Sequence, residues 1–441
     1  MQDTASVLAL APDEASAKAA RGLVAPAKWP ALGADEVAVW GECQGSGSKP
    51  YQTQVDLSGP AFRCSCPSRK FPCKHGLALL LLKVDDASRF KAARPAWVDE
   101  WLASREQKEK KKEEREAQKA EAPPPDPKSV AKREAQRWER IEGAAQDLQR
   151  WMADQLAHGL GAVDDDTVKG WQAMAARMVD AQAPGLGQRL LQAAEQVRQG
   201  ADWPEQVLHR LGLLQLACDG LQRRASLPEA VQADLRQVAG WPVDKDGVIA
   251  HGDAVTDRWT VLGVVQEMRD AKLTERRVWL HGQRSQRRAL LLDHAYGGRG
   301  FEQVWVGASS AEAVLHFFPG AAPLRALCEG PQLGGAAVWP AEPLAQEWDR
   351  ITQRMAASPW MGLHPLVLHD ATPERTPLGW RCLVQGRSLD MRTDEAFGWQ
   401  LLAHSGGRAL NLAGEWDGQA FSPMSAWRDG EAAPLWTRSQ A

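Results

Sequence analysis

The sequence predicts a multidomain α+β protein: a small N-terminal ββα module, a charged helical linker, a central helical bundle and a β-rich C-terminal domain. Three observations carry that prediction. At 441 residues the chain is longer than one hydrophobic core usually serves. The apolar period changes along it, from two to between three and four and back to two. A dense charge run, Arg105–Lys119, followed by Pro123-Pro124-Pro125, separates the first zone from the rest.

The N-terminal domain is expected over residues 1–98. Residues 13–22 (DEASAKAARG) read as a short helix, with acids first, a late arginine and Gly22 as a stop. Glu36–Trp40 and Tyr51–Leu57 alternate apolar and polar residues, as half-exposed strands do, with Gly45-Ser46-Gly47-Ser48 as the turn-rich loop between them. An apolar helix follows from about Lys74 to Val84, giving a module core of about residues 51–85.

The linker covers 99–137. Its charge run offers i,i+4 pairs, so a solvated single helix ending in a stiff proline hinge is expected. Glutamates interspersed among the lysines argue against a nucleic-acid grip there, since they repel phosphate. Over 138–238, apolar residues recur at three- and four-residue spacing, as in RWERIEGAAQDLQRWMADQL and VLHRLGLLQLACDGLQ. Breaks at Gly159–Gly161, Pro184-Gly185, Gly200–Pro204 and Pro228 divide the stretch into four or five antiparallel helices. From 240 to 441 a β-rich domain is expected. Its strands are placed at Trp259–Val265, Arg277–His281, Arg288–Leu292, Gln303–Val306, Gly379–Val384, Gly398–Leu402 and Ala409–Trp416, with one helix at Leu344–Met355.

Composition limits the function. The net charge of −3 does not mark the whole molecule as a polyanion binder, so any DNA or RNA contact needs a local basic patch. Seven cysteines are too few for a disulfide scaffold, and Cys43, Cys218, Cys328 and Cys382 read as scattered buried thiols. The N-terminus lacks a basic n-region, and the apolar run Gly76–Leu82 is too short to span a bilayer. No membrane partner and a reducing, cytoplasmic compartment are therefore expected. The twenty tryptophans are expected mainly in cores.

The remaining three cysteines crowd into twelve residues, CSCPSRKFPCKH, Cys64 to His75. The spacing is Cys-x-Cys, six residues, then Cys-x-His: three thiolates and an imidazole, the donor types of tetrahedral zinc. Cys-x-Cys puts two side chains on one side of an extended segment. Pro67 and Pro72 stiffen the loop, and Cys73 and His75 lie at the mouth of the following helix, where the dipole favours a thiolate. A redox dithiol would ordinarily use Cys-x-x-Cys, and buried metal-free thiols would not ordinarily sit among arginines and lysines. With four protein ligands no position stays open for substrate, which marks a structural rather than a catalytic ion. Cys43 could supply a fifth thiol but is expected to face the core.

The pattern resembles the SWIM-type zinc finger, Cys-x-Cys-x(n)-Cys-x-His, and the upstream WGECQGSGSKPYQTQVDL is similar to the strand lead-in of bacterial SWIM-finger proteins. The resemblance covers about residues 10–85. It implies a compact module holding one structural Zn2+ through Cys64, Cys66, Cys73 and His75, with roles in protein interaction or DNA binding. Bacterial proteins that it resembles are often encoded beside AAA-type MoxR ATPases and von Willebrand A-domain proteins, so the resemblance also implies a protein adaptor or scaffold that acts with such partners.

The alternative is nucleic-acid binding through the finger's own surface. Arg63, Arg69, Lys70 and Lys74, with Phe71 among them, suit phosphate contact and base stacking. The same cations would also offset the −1 charge of a zinc–thiolate site. For an enzyme there is no phosphate-binding loop, no His-Glu-x-x-His and no Gly-x-Ser-x-Gly. Gly297-Gly298-Arg299-Gly300 lacks the frame of a phosphate loop, and His364, His369 and Asp370 lack a third catalytic member. Asp164-Asp165-Asp166 reads as a helix cap before a cation site. No catalytic residue is assigned.

Overall fold

A computed structural model describes residues 4–8, 10–11, 14–45, 47, 49–57, 61–68, 72–121, 126–270, 272–297, 301, 303–430 and 434–438. It is mixed α and β, with a four-stranded sheet, a closed five-stranded barrel and a six-stranded sheet.

The N-terminal unit has more strands than expected. After α1 (Thr4–Leu8) and α2 (Glu14–Arg21), the antiparallel strands β1 (Ala31–Ala34), β2 (Ala38–Cys43), β3 (Tyr51–Asp56) and β4 (Ala61–Cys64) precede α3 (Lys74–Asp85). The ββα expectation missed β1 and β4 because each has only four residues, ALGA and AFRC, too short to show alternation. One face of the sheet packs on α3 through Val39, Val55 and Phe62 against Leu77–Leu82. The other face packs Ala38 and Trp40 on Val98, Trp97 and Leu102 of α4 (Ala96–Glu121), and Arg105 on α4 reaches Asp56 at 3.0 Å. The first turns of the charged helix therefore belong to this core. Farther out α4 carries the expected i,i+4 pairing, with Lys110 2.6 Å from Glu106. The proline run at 123–125 and the Ser46 and Ser48 positions of the turn lie outside the described residues.

The bundle comprises α5 (Pro127–Ala157), α6 (Asp165–Asp180), α7 (Pro184–Ala194), α8 (Trp203–Gln222) and α9 (Glu229–Val238). Its core includes Ile141, Leu148, Trp171, Leu190, Leu211 and Leu221. The breakers fall where expected: Pro184 and Pro204 enter first helical turns, and the Asp164 side chain accepts the Thr167 amide at 2.8 Å to cap α6. Arginines lie over indoles at its edge, Arg137 and Arg236 over Trp241 and Arg224 over Trp138, at 4.1–4.2 Å.

A short α10 (Lys245–His251) leads to the barrel: β5 (Asp253–Met268), β6 (Leu273–Gly282), β7 (Arg288–Tyr296), β8 (Ser309–Phe317) and β9 (Arg325–Ala336), in spatial order β5-β6-β7-β9-β8. Next come α11 (Leu344–Ala357), β10 (His364–Thr376), β11 (Gly379–Val384), β12 (Arg387–Asp390), α12 (Glu395–Ser405), β13 (Leu410–Trp416), β14 (Phe421–Trp427) and β15 (Trp436–Thr437), the strands ordered β12-β11-β10-β13-β14-β15. The six-stranded sheet holds α11 and α12 on one face and the barrel on the other, where Leu262, Val265 and Trp279 meet Val367, Met424 and Trp427. At Gly263 a side chain would collide with Met424, so the glycine sets how closely the two layers approach.

Two expected strands are not strands. Gly398–Leu402 lies in α12, whose N-cap Asp394 binds the Phe397 amide at 2.7 Å and whose C-cap Gly406 is left-handed at φ 59°. Those two caps were in the sequence; the apolar run between them hid the helical period. Gln303–Val306 alternates as expected but joins no ladder: Val304 and Val306 pack on the N-terminal core and Trp305 on the barrel core. Its alternation serves two cores instead of two sheet faces. Cys43, Cys218 and Cys382 are buried as expected, whereas Cys328 is half-buried. Gly298-Arg299-Gly300 lies outside the described residues.

Candidate metal centre

Strand β4 ends at Cys64, opposite Thr53 of β3. Ser65 then faces the other way: its Oγ accepts the Gln52 amide at 2.9 Å, and its own amide donates to the Gln52 carbonyl at 2.9 Å. The residue between the two cysteines is thus pinned to the neighbouring strand, which leaves Cys64 and Cys66 on a common side. Cys73 is the N-cap of α3, with extended backbone and no side-chain cap bond, so its sulfur is free for another partner. Two residues on, at the second position of α3, His75 is buried with its ring 5.0 Å from that of Tyr51. Gly76 follows because a Cβ there would lie 2.8 Å from the Phe62 ring. The glycine lets the helix settle on β4 and carries His75 to the cysteines.

The three sulfurs and one ring nitrogen all lie within 4.8 Å of one another, with Cys64 Sγ 3.8 Å from His75 Nδ1. A tetrahedral ion with about 2.3 Å bonds to sulfur requires its ligand atoms about 3.8 Å apart, so these donors need only small shifts to close on one ion. The electrostatics fit a cation. Hydrogen bonds from Cys64 and Cys73 hold the Cys66 thiol far below the ordinary range, while the contacts with Cys64 and Cys66 push Cys73 far above it. Burial lowers the pKa of His75, but the neighbouring Cys64 and Cys66 outweigh it and raise it to about 9. Cys73 and His75 therefore hold protons where zinc would bind, and metal binding must release them. Cys64, Cys66, Cys73 and His75 form the zinc-binding group, in keeping with one structural Zn2+.

Cys43 stays outside this set. It lies in the N-terminal core, and burial raises its thiol to about 11. Thr53 Oγ1 lies 3.1 Å from Cys64 Sγ and orients it. The sequence reading missed Thr53, Ser65 and Tyr51; the signal was the alternation in YQTQV, which puts Tyr51 and Thr53 on one strand face. Of the residues expected to contact a partner, Arg63 and Lys74 are exposed, whereas Arg69, Lys70 and Phe71 lie outside the described residues. His364 is buried in the C-terminal unit, where burial lowers its pKa to about 4, which suits a neutral structural imidazole. Among the described residues no helix is long and apolar enough to cross a membrane. No curated protein and no solved structure matches this chain. Two family patterns do: residues 51–83 match the SWIM zinc finger, and residues 136–239 match the SWIM-associated four-helix bundle domain.

Proposed function

We propose that the chain is a zinc-stabilised adaptor or scaffold of a reducing, cytoplasmic compartment, and not an enzyme. One observation carries this reading: four protein donors close the metal site, so the ion shapes a surface and does no chemistry. The finger, bundle, barrel and terminal sheet then offer several surfaces on one chain, as a scaffold requires. An AAA-type ATPase or a von Willebrand A-domain protein is the partner class to test first. The experiment is affinity capture of the full chain from its native cells, with Cys73→Ala as the control. A partner retained by wild type and lost by the variant supports the reading; no partner, or one retained equally by both, counts against a role for the finger.

The second reading, DNA or RNA binding, is favoured by exposed Arg63 and Lys74 flanking the site. Its test is salt-dependent retention of short oligonucleotides at low ionic strength, reduced by Arg63→Ala and Lys74→Ala.

A further inference from the structure

Helix α8 is apolar on almost every side. Val207, Leu211, Leu214 and Leu221 pack into the bundle core, yet Leu208 and Leu216 on the opposite side are 52% and 42% exposed. A helix that is hydrophobic all round is ordinarily covered all round. Its neighbour α5 runs antiparallel to it, with Glu142 paired to Arg224 and Gln149 bonded to Asp219. Between the two helices lies a groove of about 520 Å³, lined by buried Met152 and Leu211 and by exposed Leu156, Leu208 and Gly212. Among the described residues only α5 and α8 line it.

The outer face of α8 reads alike in both directions. Glu205, Leu208, Gly212, Leu216 and Asp219 recur at three- and four-residue spacing, so they share one side of the helix. A leucine stands four residues to either side of Gly212. A Cβ at Gly212 would meet nothing within 4 Å, so the fold of the chain does not require glycine there, and glycine weakens a helix interior. A second α8 crossing antiparallel at that point supplies a reason. The absent side chains let the two backbones approach closely, and each Leu208 meets the partner's Leu216. The charges fit the same two-fold. It carries the partner's Glu205 to the level of Asp219, beside Arg150 at that end of the groove. The Arg150 side chain is 77% exposed, and Glu205 is exposed and forms no ion pair among the described residues. Asp219 is occupied within its own chain by the side-chain amides of Gln149 and Gln215, at 2.5 and 3.2 Å.

We infer that the outer face of α8 and its groove with α5 form a two-fold interface between two copies of this chain. The inference does not rest on the proposed scaffold role, although a dimer would present each surface of such a scaffold twice. The test is analytical ultracentrifugation of the full chain over a concentration series. Wild type should be a dimer that dissociates on dilution. Leu208→Glu should weaken it about tenfold or more, because a two-fold interface counts each substitution twice. Gly212→Leu enters open space in the single chain, so helical ellipticity and melting temperature should hold or rise while the dimer is lost. Arg150→Glu and Glu205→Arg should each weaken the dimer, and the two together should recover it. A chain that is monomeric at every concentration overturns the inference. So does a dimer that Gly212→Leu leaves intact, which must use another face. An exchanged charge pair that fails to recover the dimer denies the antiparallel register and overturns it as well.

Discussion

The finger and the barrel–sheet unit solve the same problem, a small sheet that needs a second anchor, by different means. The finger's strands β1 and β4 have four residues each, and its sheet lies between α3 and the first turns of α4, with four metal ligands at the α3 seam. The barrel's strands run from 9 to 16 residues, and its second anchor is a six-stranded sheet bound through apolar side chains and the Arg277–Glu415 contact. A metal-held unit should fail all at once when one ligand or the ion is removed. A unit held by packing and buried ions should lose stability by degrees.

The largest effect expected is therefore at a zinc ligand. Folded zinc-finger peptides draw about 10–16 kcal/mol from the ion, so Cys73→Ala should abolish metal binding and unfold the finger. Metal analysis should give one zinc for wild type, lost to chelator, and well below one for the variant. Helical ellipticity from the bundle should persist. The shared contacts of Val304 and Val306 add a local consequence: exchange at 303–306 should quicken when the finger unfolds. A collapse of the whole helical signal would mean that the two regions are one cooperative unit.

The barrel–sheet unit is tested at Arg277. Arg277→Met leaves Glu415 buried and uncompensated, at a cost of about 3–5 kcal/mol by denaturant midpoint. The unit should also respond to acid. Hydrogen bonds from Arg277 lower the pKa of Glu267; at Glu275 burial raises it, but bonds from Arg269 and Arg277 outweigh that. Carboxylates held below their ordinary 4.5 contribute stability that is full above that value and is lost as pH falls through the lowered one. Wild-type stability should thus decline below about pH 4.5, and Arg277→Met should flatten the decline. An unchanged acid slope would sink the assignment of that stability to Arg277.

A smaller effect is expected at Gly76. Gly76→Ala forces its Cβ onto Phe62 and should destabilise the finger by about 1–3 kcal/mol, read as weaker zinc retention in a chelator competition. The same substitution at Gly143, where nothing lies within reach, should be silent or slightly stabilising.

What the sequence disclosed follows the same division. The zinc ligands were legible because coordination depends on residue type and local spacing, both written in twelve residues. The bundle was legible because a helix repeats its period over many turns and announces its ends with Pro184, Pro204 and Asp164. The barrel was only partly legible. Strands were expected within β5, β6 and β7 but not at β8 or β9, and the parallel pairing of β7 with β9 joins residues 290 and 325, a partner too far away for any local pattern to record. Val304 and Trp305 show the limit best, since neighbouring residues there answer to different cores.

The smallest effect distinguishes a cap from an ion site in Asp164-Asp165-Asp166. Three consecutive carboxylates could in principle gather a cation, yet they diverge. Asp164 accepts the Thr167 amide and hydroxyl, Asp165 lies 3.2 Å from Arg198, and Asp166 lies 2.7 Å from Lys169. Bonds from the Thr167 side chain and amide hold Asp164 below its ordinary pKa, as capping a helix N-terminus should. Asp164→Ala should lower the bundle's melting temperature by a few degrees, whereas Asp164→Asn, an equally good cap, should retain most of it. Asp165→Ala and Asp166→Ala remove only exposed pairs and should change little. A cation site would invert that ranking: all three alanine variants would behave alike, and calcium or magnesium would stabilise wild type alone.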